Sequence, residues 1–169
     1  MQINVAQLLK EPVGSSRKYE TDEKLVADNI DSIKGGLVLI RTHRGLLVKG
    51  KMSASVVSLC SRCLKPITYQ VNYEFEEEAF PSIDISTGLS LTTDPESLTI
   101  DNTHMLDLTD MLVQYTLLTM PIKPLCSPDC AGLCPQCGTN LNDSKCQCSN
   151  VPTDERWLKL AILKKERGF

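Results

Sequence analysis

Six of the eight cysteines fall within residues 126–148, a stretch reading CSPDCAGLCPQCGTNLNDSKCQC, and the other two form a C-x2-C pair at Cys60 and Cys63. Few features constrain a fold as tightly, because four thiolates gathered on one ion fix the backbone segments that carry them. The run Cys134-Pro135-Gln136-Cys137-Gly138 reads as a zinc knuckle. Both sulfurs project to one side of a tight loop, and Gly138 supplies the permissive backbone that turns amides toward the thiolates. Eight cysteines divide into two four-coordinate sites, so two zinc ions are expected. Cys134, Cys137, Cys146 and Cys148 are local in sequence, and closing the short loop between Cys137 and Cys146 costs little chain entropy. Cys60, Cys63, Cys126 and Cys130 then form the second site. The other division that the spacing allows is a two-knuckle ribbon joining Cys60 and Cys63 to Cys134 and Cys137.

The cysteines favour metal over disulfides only where thiols stay reduced. The chain opens with no basic region followed by a long apolar core, and no apolar run approaches the about 20 residues of a spanning helix. The expectation is a cytoplasmic protein without a membrane partner. An apolar content of 41% is enough for a true core. The net charge of -3 conceals an asymmetry: residues 1–65 carry a net +5, residues 66–122 a net -10 with no Lys or Arg, and residues 123–169 a net +2. Binding to a nucleic acid would therefore need a local basic patch.

The pattern along the chain predicts an antiparallel meander. Leu37-Val38-Leu39-Ile40 is an apolar strand after Gly35-Gly36, Thr42-His43-Arg44-Gly45 its turn, and Leu46-Leu47-Val48 the return. Residues 52–59 run into Cys60, with the knuckle at a hairpin end, and residues 67–75 mix β-branched and aromatic residues with polar ones. Residues 1–35 read as mixed, with a turn at residues 12–16 followed by a charged stretch, and residues 81–102 as a long loop. A helix follows, capped by Asp107, with Leu108, Met111, Leu112, Tyr115 and Leu118 as its apolar stripe and Pro121 as its stop. A short terminal helix is expected after Pro152, with Thr153 as cap and Trp157, Leu158, Ala161 and Ile162 on its apolar face. The predicted class is α+β: a curved antiparallel β-sheet or incomplete barrel with a packed helix (residues 1–122), and a C-terminal zinc-binding module with its terminal helix (residues 123–169) docked on it.

Catalytic readings find little support. Cys130-x3-Cys134-x2-Cys137 matches the pattern by which radical S-adenosylmethionine enzymes hold a [4Fe-4S] cluster, but only 32 residues follow, too few for the barrel such enzymes build. Cys60-x2-Cys63 could be a thiol-redox pair, yet it lacks a βαβ neighbourhood. Glu74, Glu76, Glu77 and Glu78 form an acidic run at a strand end, which is the habit of a solvated face. Neither His43 nor His104 falls in a metal-spaced motif, and no Gly-rich phosphate loop or Ser/His/Asp arrangement is present. Fully thiolate-coordinated zinc keeps no open position for a substrate, so its role is structural. The basic set Arg41, Arg44, Lys49, Lys51, Arg62 and Lys65 either contacts RNA phosphates or balances the acidic segment.

The combination of CSRCLKPI at residues 60–67, a helix running into Leu-x-x-Pro-Ile, and PLCSPDCAGLCPQCGTNLN at residues 124–142 is similar to the YceD family, the large ribosomal RNA subunit accumulation proteins. The ending DERWLKL also resembles that family's, with Glu155 where proline is common. The resemblance implies a non-catalytic factor in ribosome assembly that supports accumulation or processing of 23S ribosomal RNA. Its implied partners are that RNA or its precursor and large-subunit ribosomal proteins, with no small-molecule substrate. It supplies no catalytic residues, and only the cysteines map onto named positions. A zinc-stabilised protein–protein adaptor is the alternative from a different class, and a thiol-redox or iron–sulfur enzyme the less favoured one.

Overall fold

A computed structural model describes residues 1–24, 29–84, 87–92, 97–148 and 156. The terminal helix expected after Pro152 lies outside the described residues. Contacts divide the chain into two units: Met1–Cys60 with Lys65–Pro124, and Ser61–Leu64 with Leu125–Phe169. The knuckle segment Ser61–Leu64 thus belongs to the second unit, although it interrupts the sequence of the first.

The first unit is built on three long strands whose alternation of apolar and polar residues sets the register. In chain order its elements are β1 (Gln2–Asn4), α1 (Ala6–Lys10), β2 (Ser16–Glu23), β3 (Ile30–Arg41), β4 (Leu46–Leu59), β5 (Pro66–Pro81), β6 (Leu98–Ile100), β7 (Met105–Asp107) and α2 (Thr109–Thr119). They form one seven-stranded sheet in the order β1-β7-β6-β5-β4-β3-β2. Along β4, Leu46, Val48, Met52, Ala54 and Val56 turn inward, where they meet Leu37 and Leu39 of β3 and Val71, Tyr73 and Phe75 of β5 in one buried cluster. Each fully buried Leu or Val of this kind contributes about 1.5–3 kcal/mol. Successive strands β1 and β2 lie at opposite edges of the sheet. Helix α1 lies in the connection between them and buries Leu8 and Leu9 in the core. The two edges approach one another: the Met1 amino group at the start of β1 lies 3.3 Å from Glu23 Oε2 at the end of β2. The sheet is curled into an open half-barrel.

Four features differ from the pattern read in the sequence. The sheet is mixed and not purely antiparallel, because β5 and β6 run parallel, pairing Ala79 with Leu98 and Pro81 with Ile100. Sixteen residues separate the end of β5 from the start of β6, a connection of the length that a parallel neighbour demands. The charged stretch near the N-terminus is strand β2, paired with β3 over its whole length. Gly35 does not open a strand but sits inside β3, where a Cβ would come 2.2 Å from the Lys51 carbonyl oxygen; glycine there lets β4 approach closely. The acidic run lies inside β5 and not at a strand end: Glu74 and Glu76 stand opposite Lys51 and Lys49 of β4.

Helix α2 packs on β5. The N-cap position is Leu108 and not Asp107 as expected, but Asp107, one residue before it, accepts the backbone N–H and the hydroxyl of Thr109. Partial burial opposes the charge, but bonds from the Thr109 hydroxyl, Gln2 and the Thr109 amide outweigh it and hold the Asp107 carboxyl down at about 2. Leu108 and Leu112 are buried, whereas Leu118 is 80% exposed, so the core-facing stripe is one position narrower than expected. Thr116 takes the remaining inward position. Its hydroxyl donates to the Leu112 carbonyl, which also accepts from Tyr73 Oη, and the two hydroxyl oxygens lie 3.0 Å apart, so the buried polar groups are satisfied.

Candidate metal centres

The eight cysteine sulfurs gather into two groups of four, Cys60/Cys63/Cys126/Cys130 and Cys134/Cys137/Cys146/Cys148, with all sulfurs of a group within 4.8 Å of one another. Tetrahedral zinc, with Zn–S near 2.3 Å, needs sulfurs about 3.8 Å apart, and the Cys63–Cys126 separation is 3.6 Å. That separation is far beyond the about 2.05 Å of a disulfide. The spacing and the all-thiolate donors fit one tetrahedral ion per group. Four thiolates complete such a shell and leave no coordination position for a substrate.

Both groups rest on the same local device. In one knuckle Cys60 donates its amide to the Lys65 carbonyl at 2.9 Å; in the other Cys134 donates to Thr139 at 2.8 Å, the same five-residue step. In each, the residue after the second cysteine is left-handed: Leu64 at φ +58° and Gly138 at φ +72°. Glycine adopts this conformation freely, but leucine does so at a cost of roughly 1–2 kcal/mol. Leu64 is exposed, so burial of its side chain does not explain the choice.

Hydrogen bonds organise the segments between ligands. Arg62 donates to the carbonyls of Pro128 (3.3 Å) and Cys130 (2.8 Å), tying the Cys126–Cys130 turn to the first knuckle. The TNLN run at residues 139–142 does more. Asn142 Oδ1 accepts the Ala131 amide at 2.8 Å, while Asn142 Nδ2 donates to Cys130 Sγ at 3.4 Å. Asn140 Oδ1 accepts from both the backbone and side-chain nitrogens of Asn142, and Asn140 Nδ2 donates to Asp143.

Hydrogen bonds and crowding move the thiols in opposite directions, lowering Cys130, Cys134 and Cys137 and raising Cys146 and Cys148. Thr139, through its hydroxyl and its amide, together with the neighbouring Cys134 and Cys148, pulls Cys137 down to about 6. Cys137 in turn pushes Cys148 up to about 12. The amides of Cys137 and Gln136 lower Cys134. At Cys130 burial opposes the thiolate, but the Asn142 amide, the Gly132 N–H and the adjacent Cys126 and Cys63 together lower it. Crowded thiols without a cation cannot all ionise, and a divalent ion removes that conflict.

This geometry separates residues that a cluster-binding enzyme would need together. Cys130 belongs to one group and Cys134 and Cys137 to the other, so the C-x3-C-x2-C pattern does not form one three-cysteine face. Likewise Cys60 and Cys63 are half of a four-sulfur group and not an isolated redox pair, and neither groups with Cys134 and Cys137.

The six basic candidates are not gathered into one patch. Lys49 and Lys51 form ion pairs with Glu76 (2.9 Å) and Glu74 (2.8 Å) across β4 and β5. The Arg41 guanidinium donates to the carbonyls of Leu9, Thr42 and Gly45, holding the β3–β4 turn to α1, and Arg62 is engaged as described above. Arg44 and Lys65 are exposed, at turns flanking opposite ends of the 14-residue β4. At about 3.4 Å per residue those ends are roughly 45 Å apart. Two contributions escaped the sequence reading: Asn142, and the left-handed Leu64. The first could have been found from the two asparagines flanking Leu141 so close to a knuckle; nothing in the sequence signals the second.

Among the described residues no helix is long and apolar enough to cross a membrane. No solved structure matches this chain. The chain is 36% identical over 116 residues to uncharacterized proteins of Mycobacterium bovis and Mycobacterium tuberculosis, an alignment that takes 69% of this chain and 54% of each relative. It is 31% identical over 99 residues to an uncharacterized protein of Mycobacterium leprae, covering 57% of this chain and 43% of that one. The chain thus spans about half the length of the curated relatives it matches. The family model of the large ribosomal RNA subunit accumulation protein YceD matches residues 48–164, a stretch holding every residue of both cysteine groups, and the chain belongs to that family.

Proposed function

We propose that this protein is a non-catalytic ribosome-assembly factor that binds 23S ribosomal RNA or its precursor in the cytoplasm, with two structural zinc ions holding its second unit in shape. The observation that carries this reading is the pairing of membership in a family named for accumulation of large-subunit RNA with two closed four-sulfur groups. A closed shell offers rigidity and no reactive position, which suits a scaffold for recognition. When bound, zinc would neutralise the thiolates of Cys60, Cys63, Cys126 and Cys130 in one group and of Cys134, Cys137, Cys146 and Cys148 in the other. Large-subunit ribosomal proteins are further partners in this reading.

Within the basic set, Arg44 and Lys65 are the first candidates for phosphate contact, because both are exposed. Lys49 and Lys51 would have to exchange Glu76 and Glu74 for phosphate, and Arg41 and Arg62 would have to release backbone carbonyls. That engagement of four of the six is the specific observation favouring a second reading, a zinc-stabilised adaptor that meets the assembling subunit through protein alone. Binding of large-subunit RNA fragments across a salt series separates the two. Replacing Arg44 and Lys65 by alanine together should flatten the log–log salt slope by about 1.4–1.8, at 0.7–0.9 per lost contact. Replacing Lys49 and Lys51 should change it little. Unaltered affinity and slope in the Arg44/Lys65 variant would remove the phosphate role and leave the adaptor.

A further inference from the structure

We propose that the two four-cysteine groups bind metal as a coupled pair, with Asn142 as the link between them. The inference rests on the two-zinc reading and goes beyond it. Asn142 lies in the segment between Cys137 and Cys146, which are ligands of one group, yet its side chain serves the other. It donates to the sulfur of Cys130 and accepts the amide of Ala131, the residue that follows that cysteine. The side chain is held for this task by Asn140, whose Oδ1 accepts from both Asn142 nitrogens at 2.7 and 3.0 Å. The backbone reinforces the link: Leu141 donates to the Gly132 carbonyl at 2.9 Å, and Leu133 bridges Asn140.

The physical consequence follows from where these bonds are anchored. Residues 139–142 leave the second knuckle directly, since Thr139 accepts the Cys134 amide. Metal at Cys134/Cys137/Cys146/Cys148 pins both ends of the segment from Cys137 to Cys146, and so fixes the Asn142 amide against Cys130. An N–H donated to a ligating sulfur stabilises the thiolate that metal needs, and such outer contacts typically change metal affinity by about 10–100-fold. Coupling is reciprocal, so filling the Cys60/Cys63/Cys126/Cys130 group must strengthen the other by the same factor. Asn142 is a positioning residue here, not a ligand.

The test is a zinc titration of the full chain from the metal-free state. Native mass spectrometry would count the ions, and alkylation of unprotected cysteines would show which group is filled. In the unaltered protein, the one-zinc species should stay well below its statistical share while the two-zinc species grows. Asn142→Asp keeps an acceptor for the Ala131 amide but replaces the donor to Cys130 with a negative charge. Its one-zinc species should accumulate, protected at Cys134, Cys137, Cys146 and Cys148, with the other group at least tenfold weaker. Asn142→Ala should show the same accumulation to a smaller degree, and exchange protection of the sheet should be unchanged in both. Two ions loading with independent statistics, or an Asn142→Asp titration that overlays the unaltered one, would overturn the coupling alone. A maximum of one ion in the unaltered protein would overturn the two-zinc reading beneath it.

Discussion

Stripping both metal ions is expected to unfold the second unit and leave the sheet folded. The first unit has its own core, running from Ile3 and Leu8 through Leu39, Val48 and Val71 to Leu106 and Leu112. The second contributes no residue to that core among the described residues; the buried side chains it offers are Cys63, Cys130 and Cys134. A unit of 49 residues is close to the size, about 40 residues, below which metals or disulfides are generally needed. A structural zinc ion supplies an apparent 10–16 kcal/mol, about as much as the whole net stability of an ordinary domain. With a chelator at neutral pH, amide protection across residues 126–148 should collapse to the level of an unfolded chain. Protection in β3, β4 and β5 should change by less than about tenfold, a difference of about 1.4 kcal/mol. Persistence of protection in residues 126–148 after verified metal removal would show that the cysteines do not hold this unit.

The second large effect distinguishes the two groups. Cys134→Ser removes a ligand from the local group, so residues 134–148 should loosen and the protein should carry one ion in place of two. The remaining ion would be held more weakly through the loss of an ordered Asn142. Cys60→Ser removes a ligand from the group whose members lie far apart in sequence; Cys63 and Cys126 alone are separated by 63 positions. Restraining so long a segment removes more chain entropy than closing a short loop. Its loss should expose both Ser61–Leu64 and the turn from Cys126 to Cys130, with one ion kept at Cys134, Cys137, Cys146 and Cys148. Metal counting and hydrogen exchange read this together. Loosening at Cys134 and Cys137 in the Cys60→Ser variant, with Cys126 and Cys130 still protected, would show that the cysteines are grouped otherwise.

Legibility in the sequence tracked the strength of the local signal. The long hairpins from β3 to β5 were readable because Leu37 to Ile40 and Leu46 to Val48 are apolar runs interrupted by the Thr42 to Gly45 turn, and Tyr69, Val71, Tyr73 and Phe75 alternate with polar residues. Helix α2 was readable from Asp107 just before its start and from Leu108 and Leu112 four residues apart, although its N-cap position is Leu108. Strand β2 was not, since SRKYETDE buries no residue and is held by backbone pairing to β3, which leaves no periodic mark. Strands β1, β6 and β7 have three residues each, too few for any period. The parallel β5–β6 pair joins strands separated by sixteen residues and leaves no local pattern. Gly35-Gly36 looked like a boundary because glycine more often breaks a strand than allows a neighbour to approach. At the cysteine groups the division into two fours and one knuckle were plain. Hidden were the contacts reaching across the sequence, Arg62 to Cys130 and Asn142 to Cys130, which only the folded chain brings together. The basic set looked like a patch in one dimension; in the sheet its lysines face their own glutamates.

The central claim, that the protein acts on large-subunit ribosomal RNA by binding it, is tested most directly by crosslinking protein to RNA in living cells and sequencing the attached fragments. The account predicts reads concentrated at discrete positions of 23S ribosomal RNA or its precursor, diminished in the Arg44/Lys65 double-alanine variant. Reads at background level, together with nuclease-resistant association with a ribosomal protein, would contradict it.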